Sequence, residues 1–141
     1  MNWHTEILPR QTHQALEYCS KQLWLRKQGW YLAGGTALAL YAGHRTSQDL
    51  DFFLSKTFRE EPLITRFIHT SWKTTHRQEW TVYGDLFGAK VSFIAHPSFS
   101  PLQPGTYFGT IRVLDPRDIA VMKVMAISDR GTKRDFIDLY W

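Results

Sequence analysis

Two glycines and two aspartates set the chemistry open to this chain. Gly34-Gly35-Thr36 closes an apolar run that begins at Trp30, and Asp49 and Asp51 follow across an Ala/Leu-rich stretch that ends at Gly43. Glycine lets a backbone approach a ligand closely, and a helix opening at Thr36 offers unpaired N–H groups and a partial positive charge to an anion. Thr36 adds a hydroxyl that can donate to the anion or cap the helix. Asp49-Leu-Asp-Phe-Phe-Leu54 reads as a strand, so Asp49 and Asp51 share a face about 7 Å apart at Cα. Leu50, Phe52 and Leu54 take the opposite face, into a core. Two carboxylates so held repel one another, and a divalent cation between them removes the repulsion. Mg2+ suits such a pair because it takes one or two carboxylates and completes its shell with substrate phosphates. For Asp-x-Asp alone, two solvated acids beside a glycine turn remain the alternative.

The elements that must position these residues can be read from periodicity and punctuation. Residues 11–28 carry Ala15, Leu16, Cys19, Leu23 and Leu25 at loosely helical spacing, and Gly29 stops the helix. A first strand is expected over 30–33, a short helix over 36–42 ended by Gly43, and a second strand over 49–54. Glu60-Glu61-Pro62 opens a helix expected to run to about Trp72. From 74 to 96 the pattern is that of a hairpin, with a turn around Gly84-Asp85 and Gly88 and an alternating strand from Lys90 to Ala95. The stretch 97–105, rich in proline, is a loop, and a short strand over 110–114 leads to Asp115-Pro116, an N-cap with proline at the first helical position. The helix that follows places Ile119, Met122, Met125 and Ala126 on one stripe, and a final helix is expected from about Thr132. Trp72, Trp80 and Tyr83 are either base-stacking surfaces or core and cross-strand partners.

Composition limits the options without choosing among them. With 141 residues, 43% hydrophobic and 15% aromatic, the chain can bury one core and is short for two domains. Seventeen Lys and Arg against 13 Asp and Glu give a net charge of +4, a mild bias toward anionic partners. Cys19 is the single cysteine, so no intrachain disulfide forms, and the histidines show no ligand spacing for zinc. No apolar run approaches the roughly 20 residues that span a bilayer, and no N-terminal signal is visible. A cytoplasmic, non-membrane protein is the expectation.

Taken together, Gly34-Gly-Thr-Ala-Leu-Ala-Leu-Tyr-Ala-Gly-His-Arg-Thr-Ser-Gln-Asp-Leu-Asp-Phe-Phe53 resembles the signature of the AbiEii/AbiGii toxin family of nucleotidyltransferases, within the DNA polymerase beta-like superfamily. Asp115-Pro-Arg-Asp-Ile-Ala-Val-Met-Lys123 and Arg130-Gly-Thr-Lys-Arg-Asp-Phe-Ile-Asp138 resemble the later motifs of that family, in the same order. The resemblance implies an α+β fold, a polymerase beta-like core with a small mixed sheet flanked by helices, in a single domain over 1–141. It also implies a helical C-terminal region that family members commonly carry beyond such a core.

The same resemblance implies an activity: transfer of NMP from an NTP to an acceptor, with RNA or tRNA as the expected acceptor. Mg2+ or Mn2+ is the implied cofactor, held by Asp49 and Asp51. Gly34, Gly35 and Thr36 would cradle the phosphates, and Arg45 and Ser47 match a His-Arg-x-Ser run that would orient the carboxylates or touch phosphate, or else are plain loop residues. Lys123 and Arg130, seven apart on one helical face, would neutralise the triphosphate, or else are a snorkelling lysine and a helix-end arginine. Asp138, and more weakly Asp135, are carried as site residues by the family pattern, against the alternative of surface ion pairing with Lys133 and Arg134. The family further implies the toxin of a toxin–antitoxin or phage-abortive system, with a cognate antitoxin partner. One departure stands out. Where many superfamily members place a third carboxylate on a later strand, Lys90-Val-Ser-Phe-Ile94 offers Ser92, with Glu79 and Asp85 the nearest substitutes. That departure keeps open a degenerate module that binds nucleotide or RNA without chemistry, and a partner-docking module with no nucleotide at all.

Overall fold

The order of elements follows from where the apolar periodicity changes step. The structure, a computed structural model, describes residues 2–129. After a short 3-10 turn at Thr5–Ile7 come helices α1 (Arg10–Cys19) and α2 (Leu23–Gln28), strand β1 (Tyr31–Ala33), helix α3 (Gly34–Ala42), strand β2 (Leu50–Leu54) and helix α4 (Glu60–Thr65). Strands β3 (Lys73–Gln78), β4 (Thr81–Leu86), β5 (Ala89–Ala95), β6 (Thr106–Phe108) and β7 (Ile111–Val113) lead to helix α5 (Pro116–Asp129). The fold is α+β: one seven-stranded mixed sheet in the order β3-β4-β5-β2-β1-β7-β6, flanked by helices. Among the described residues no helix is long and apolar enough to cross a membrane.

β2 lies at the centre, parallel to β5 on one side and antiparallel to β1 on the other. Its alternation sets the two faces of the sheet. Leu50, Phe52 and Leu54 are buried at 3% exposure or less, while Asp51 and Phe53 look onto the opposite face. On the buried face Phe93 of β5 is the hub: its ring stacks on Phe52 at 5.1 Å, meets Trp30 edge-on at 5.2 Å, and lies near Trp24, Phe67 and Trp72. These rings unite β2, β5, α2 and the segment after α4 into one aromatic core.

Several boundaries differ from the sequence reading, each for a local reason. The expected helix over 11–28 is two helices. Ser20 turns out of α1 by donating its hydroxyl to the Glu17 carbonyl, and Thr110 donates its hydroxyl to the Cys19 carbonyl and its amide to the Ser20 carbonyl. The helix expected to reach Trp72 ends at Thr65, followed by turns. Gly84 and Asp85 lie inside β4 and not in a turn, because the reversal falls at Phe87-Gly88, both with positive φ. Gly84 is nonetheless required, since a Cβ there would overlap the Trp72 ring. β3 and β6 are strands that the pattern did not resolve. Every residue of β3 is exposed, so it carries no apolar alternation. α5 starts as expected, with the Asp115 carboxylate accepting the Arg117 N–H at 2.9 Å. Its stripe is narrower than expected: Ile119 is buried, whereas Met125 is exposed. The final helix expected from Thr132 lies outside the described residues.

Cys19 is fully buried, and that burial pushes its thiol up from 9.0 to about 12. The unfolded chain therefore releases this proton first, so the thiol's contribution to stability is complete below pH 9 and is lost as pH rises toward 12. Iodoacetamide at pH 8 should leave the native protein unlabelled and label it once in urea. Equal labelling rates in the two states would show that Cys19 is not in the core.

Candidate functional site

The β1–β2 register sets Ala33 opposite Asp51, and a single threonine then holds Asp49 to the glycine bend. α3 begins directly on β1, with Ala33 extended and Gly34 in the left-handed region at φ +73°, and the chain returns through residues 43–49 to β2. Thr36, 1% exposed, donates its hydroxyl proton to the backbone carbonyl of Asp49. That proton being committed, Ser47 is the donor in the 2.5 Å Ser47–Thr36 hydroxyl pair. The Thr12 hydroxyl fixes the Gln48 carbonyl at 2.7 Å. Two hydroxyl contacts thus hold Ser47 and Asp49 on the start of α3, and the Thr12 hydroxyl holds Gln48 on α1. This corrects the expectation for Thr36: its hydroxyl neither caps α3 nor points at an anion, and what it can offer an anion is its backbone N–H in the first helical turn.

The glycines are required by what lies against them. A Cβ on Gly34 would come within 2.9 Å of the Asp51 Oδ2, in addition to its positive φ, and a Cβ on Gly35 would overlap the Arg45 guanidinium. One acid and one cation therefore press directly on the bend. Asp49 stands one residue before β2, not within it as expected, but still opens onto the same cavity as Asp51. The Asp51 Oδ1 accepts the Ser92 hydroxyl at 2.6 Å, the two residues being opposed in the β2–β5 register. Ser92 thus occupies the place where a third carboxylate was sought, and it donates to Asp51 where an acid would repel it. Asp85 also lines the cavity, but its Oδ1 accepts the Gly88 N–H at 3.0 Å and closes the β4–β5 turn. Glu79 lies between β3 and β4, away from the cavity lining.

The cavity has a volume of about 690 Å³ and is roofed by α5, where Ile119, Met122 and Lys123 close over the sheet. Lys123 is 6% exposed, which places its ammonium in the cavity wall and not on the solvent side of α5. The structure thus brings Gly34, Gly35, Thr36, Arg45, Ser47, Asp49, Asp51 and Lys123 to one cavity. Arg130, Asp135 and Asp138 lie outside the described residues. Sequence reasoning missed Lys90 as a cavity-lining residue, legible as the polar member of an alternating strand, and left Tyr83 between base stacking and cross-strand pairing. The charged lining consists of Arg45, Lys90 and Lys123 against Asp49, Asp51 and Asp85, which cancel. A polyanion alone gains little net attraction from such a lining, whereas a polyanion arriving with a divalent cation meets both signs.

Whether the residues fit Mg2+ can be tested on this donor set. Among the described residues no group of three His, Cys, Asp or Glu could hold a metal, so a cage built from them alone does not exist. Two carboxylates opening onto a roomy cavity beside a glycine bend do fit an ion that shares its shell with phosphate oxygens.

Fold and site together define a small mixed-sheet protein with a cleft in which two aspartates face a glycine bend. Residues 25–79, which hold both the bend and the acids, match the model of the family described as nucleotidyl transferase AbiEii toxin, Type IV TA system, a match that supports the AbiEii family assignment. The uncharacterized protein aq_aa25 of Aquifex aeolicus (strain VF5) is 38% identical over 120 residues, covering 79% of this chain and 56% of that protein. JHP933 from Helicobacter pylori shares the fold, with a TM-score of 0.61 at 21% identity over 94% of this chain and 66% of that one. The chain thus spans little more than half the length of the Aquifex relative.

Thr36→Val removes the hydroxyl while keeping the shape, which strands the Asp49 carbonyl and the Ser47 donor. Urea unfolding should show a loss of about 1–3 kcal/mol, with Thr36→Ser close to the original protein. A Thr36→Val protein as stable as the parent would remove the clasp from this account.

Proposed function

We propose that the protein is a divalent-metal-dependent nucleotidyltransferase acting as the toxin of a toxin–antitoxin pair, moving NMP from an NTP to an RNA acceptor. The observation that carries this reading is the convergence of the Gly34–Gly35 bend, Arg45, the Asp49–Asp51 pair and Lys123 on one cavity. In this reaction an acceptor hydroxyl forms a new bond to the α-phosphorus, the bond to the bridging oxygen breaks, and pyrophosphate leaves. Negative charge therefore builds on the phosphoryl oxygens and the departing group, and cations already in place lower the barrier. Arg45, held against Gly35, is set to meet phosphate where the backbone comes closest. Lys123, in the cavity wall, supplies a second positive charge on the roof. Asp49 and Asp51 would hold Mg2+ or Mn2+, which when bound screens the phosphates and acidifies an attacking hydroxyl. Ser92 keeps the Asp51 carboxylate oriented through its 2.6 Å hydrogen bond.

RNA as acceptor rests on the net charge of +4 and on the family's role, and an antitoxin partner on the family alone. A second reading has a specific observation in its favour. Ser92 stands where a third acid would complete a two-metal site, so the same cavity could bind nucleotide and metal without turnover.

Incubation with labelled NTPs and total RNA separates the two. Transfer of label to RNA is expected, reduced by about two to three orders of magnitude in Asp49→Ala and in Asp51→Ala. Metal-dependent NTP binding with no transfer to any RNA would favour the second reading. Transfer that survives both substitutions would show that these acids are not the catalytic pair.

A further inference from the structure

The sheet face that carries Asp51 continues past it in an ordered grid. Strand register puts Asp51 of β2 opposite Ser92 of β5, Ser92 opposite Tyr83 of β4, and Tyr83 opposite His76 of β3. Directly opposed residues share a face, so the four form one row across the strands. The rows on either side differ in kind: Lys90, Asp85 and Lys73 on one, Phe53, Ile94, Thr81 and Gln78 on the other. The middle row thus runs from a carboxylate through a hydroxyl to two rings, between a charged edge and a more apolar one. Tyr83 lies two strand spacings from Asp51, about 10 Å at the backbone.

Tyr83 is 40% exposed on the cavity wall, although the strand around it is otherwise well buried. The His76 ring lies beside it, with centroids 5.6 Å apart and planes inclined by 30°. A β-bulge between Thr74 and His76 brings Thr75 onto the same cavity, so β3 borders the site by a break in its regular pairing. The other two aromatic residues singled out in the sequence are elsewhere. Trp72 stacks on Phe67 in the aromatic core, and Trp80 sits in the β3–β4 turn outside the cavity lining.

We propose that Tyr83, backed by His76, is the stacking platform for the nucleobase of the NTP donor. This rests on the nucleotidyltransferase reading above and adds to it the subsite for the base. With phosphates at the Gly34–Gly35 bend and the α-phosphate at the acids, the nucleoside has the Ser92–Tyr83 side of the cavity to extend into. The acceptor has a separate approach. A second cavity of about 490 Å³, lined by Gln11, Thr12 and Gln48, meets the first at Arg45, Ser47, Asp49 and Lys90. Stacking engages the π-face that every base has, so this subsite holds purine and pyrimidine NTPs alike.

The test compares the parent, Tyr83→Thr, which keeps a strand-forming residue, and Tyr83→Phe, which keeps the ring. Binding of an α,β-methylene NTP with Mg2+, of inorganic tripolyphosphate with Mg2+, and of a single-stranded RNA oligonucleotide is measured by calorimetry. Tyr83→Thr should bind the NTP analogue about fivefold to a hundredfold more weakly, and Tyr83→Phe like the parent. Tripolyphosphate and RNA, which do not use this platform, should bind all three proteins equally. NTP affinity unchanged in Tyr83→Thr overturns the proposal. So does a loss shared equally by tripolyphosphate, which marks Tyr83 as a structural cross-strand partner, or a loss confined to RNA, which gives the platform to the acceptor. A parent protein that binds neither the NTP analogue nor tripolyphosphate defeats the nucleotidyltransferase reading itself, and the base platform with it.

Discussion

The hydrogen bond from the Thr36 hydroxyl to the Asp49 carbonyl is the constraint on which the site depends. It ties the first turn of α3 to the last residue before β2, two points 13 residues apart in sequence. The β1–β2 register, with Ala33 opposite Asp51, already sets the bend beside Asp51, and this bond adds Asp49 to the same frame. In that frame the left-handed Gly34 and the Asp51 carboxylate are held so close that no side chain larger than hydrogen fits between them. Because Thr36 and Ser47 are both nearly buried, water competes poorly for these bonds and the clasp keeps its geometry without substrate.

Charge is arranged on this frame in near balance. Asp51 is steadied by a neutral donor, the Ser92 hydroxyl. The cations come from other elements: Arg45 from the loop before β2, Lys90 from β5 and Lys123 from α5. Parallel pairing of β2 with β5 sets Ser92 level with Asp51 and leaves the other face to the aromatic core around Phe93.

Much of this was legible in the sequence because it follows from alternation and punctuation. Asp49-Leu-Asp-Phe-Phe-Leu54 gave the faces of β2, and Gly29 and Gly43 marked helix ends that both adopt the left-handed conformation. The mixed α+β class and the family came from residues lying close together in sequence. What escaped depends on contacts distant in sequence. β3, Lys73-Thr-Thr-His-Arg-Gln78, is exposed throughout and carries no apolar alternation, so neither face is written in its residues. The break between α1 and α2 is set by Thr110, some 90 residues away. Thr36 read as a cap or an anion ligand because its true acceptor, a backbone carbonyl, has no residue signature. Tyr83 could not be separated from Trp72 and Trp80 until the register set it in line with Asp51.

The central claim is that the aspartates and the glycine bend form one place for a cation and a polyphosphate together. Titrating Mg2+ into the protein by calorimetry, first alone and then with saturating non-hydrolysable NTP, tests it most directly. The account predicts weak binding of the metal alone and strong mutual enhancement with the nucleotide, the same factor being found when the order of addition is reversed. Metal affinity that is indifferent to the nucleotide, or nucleotide affinity that is indifferent to the metal, would contradict it.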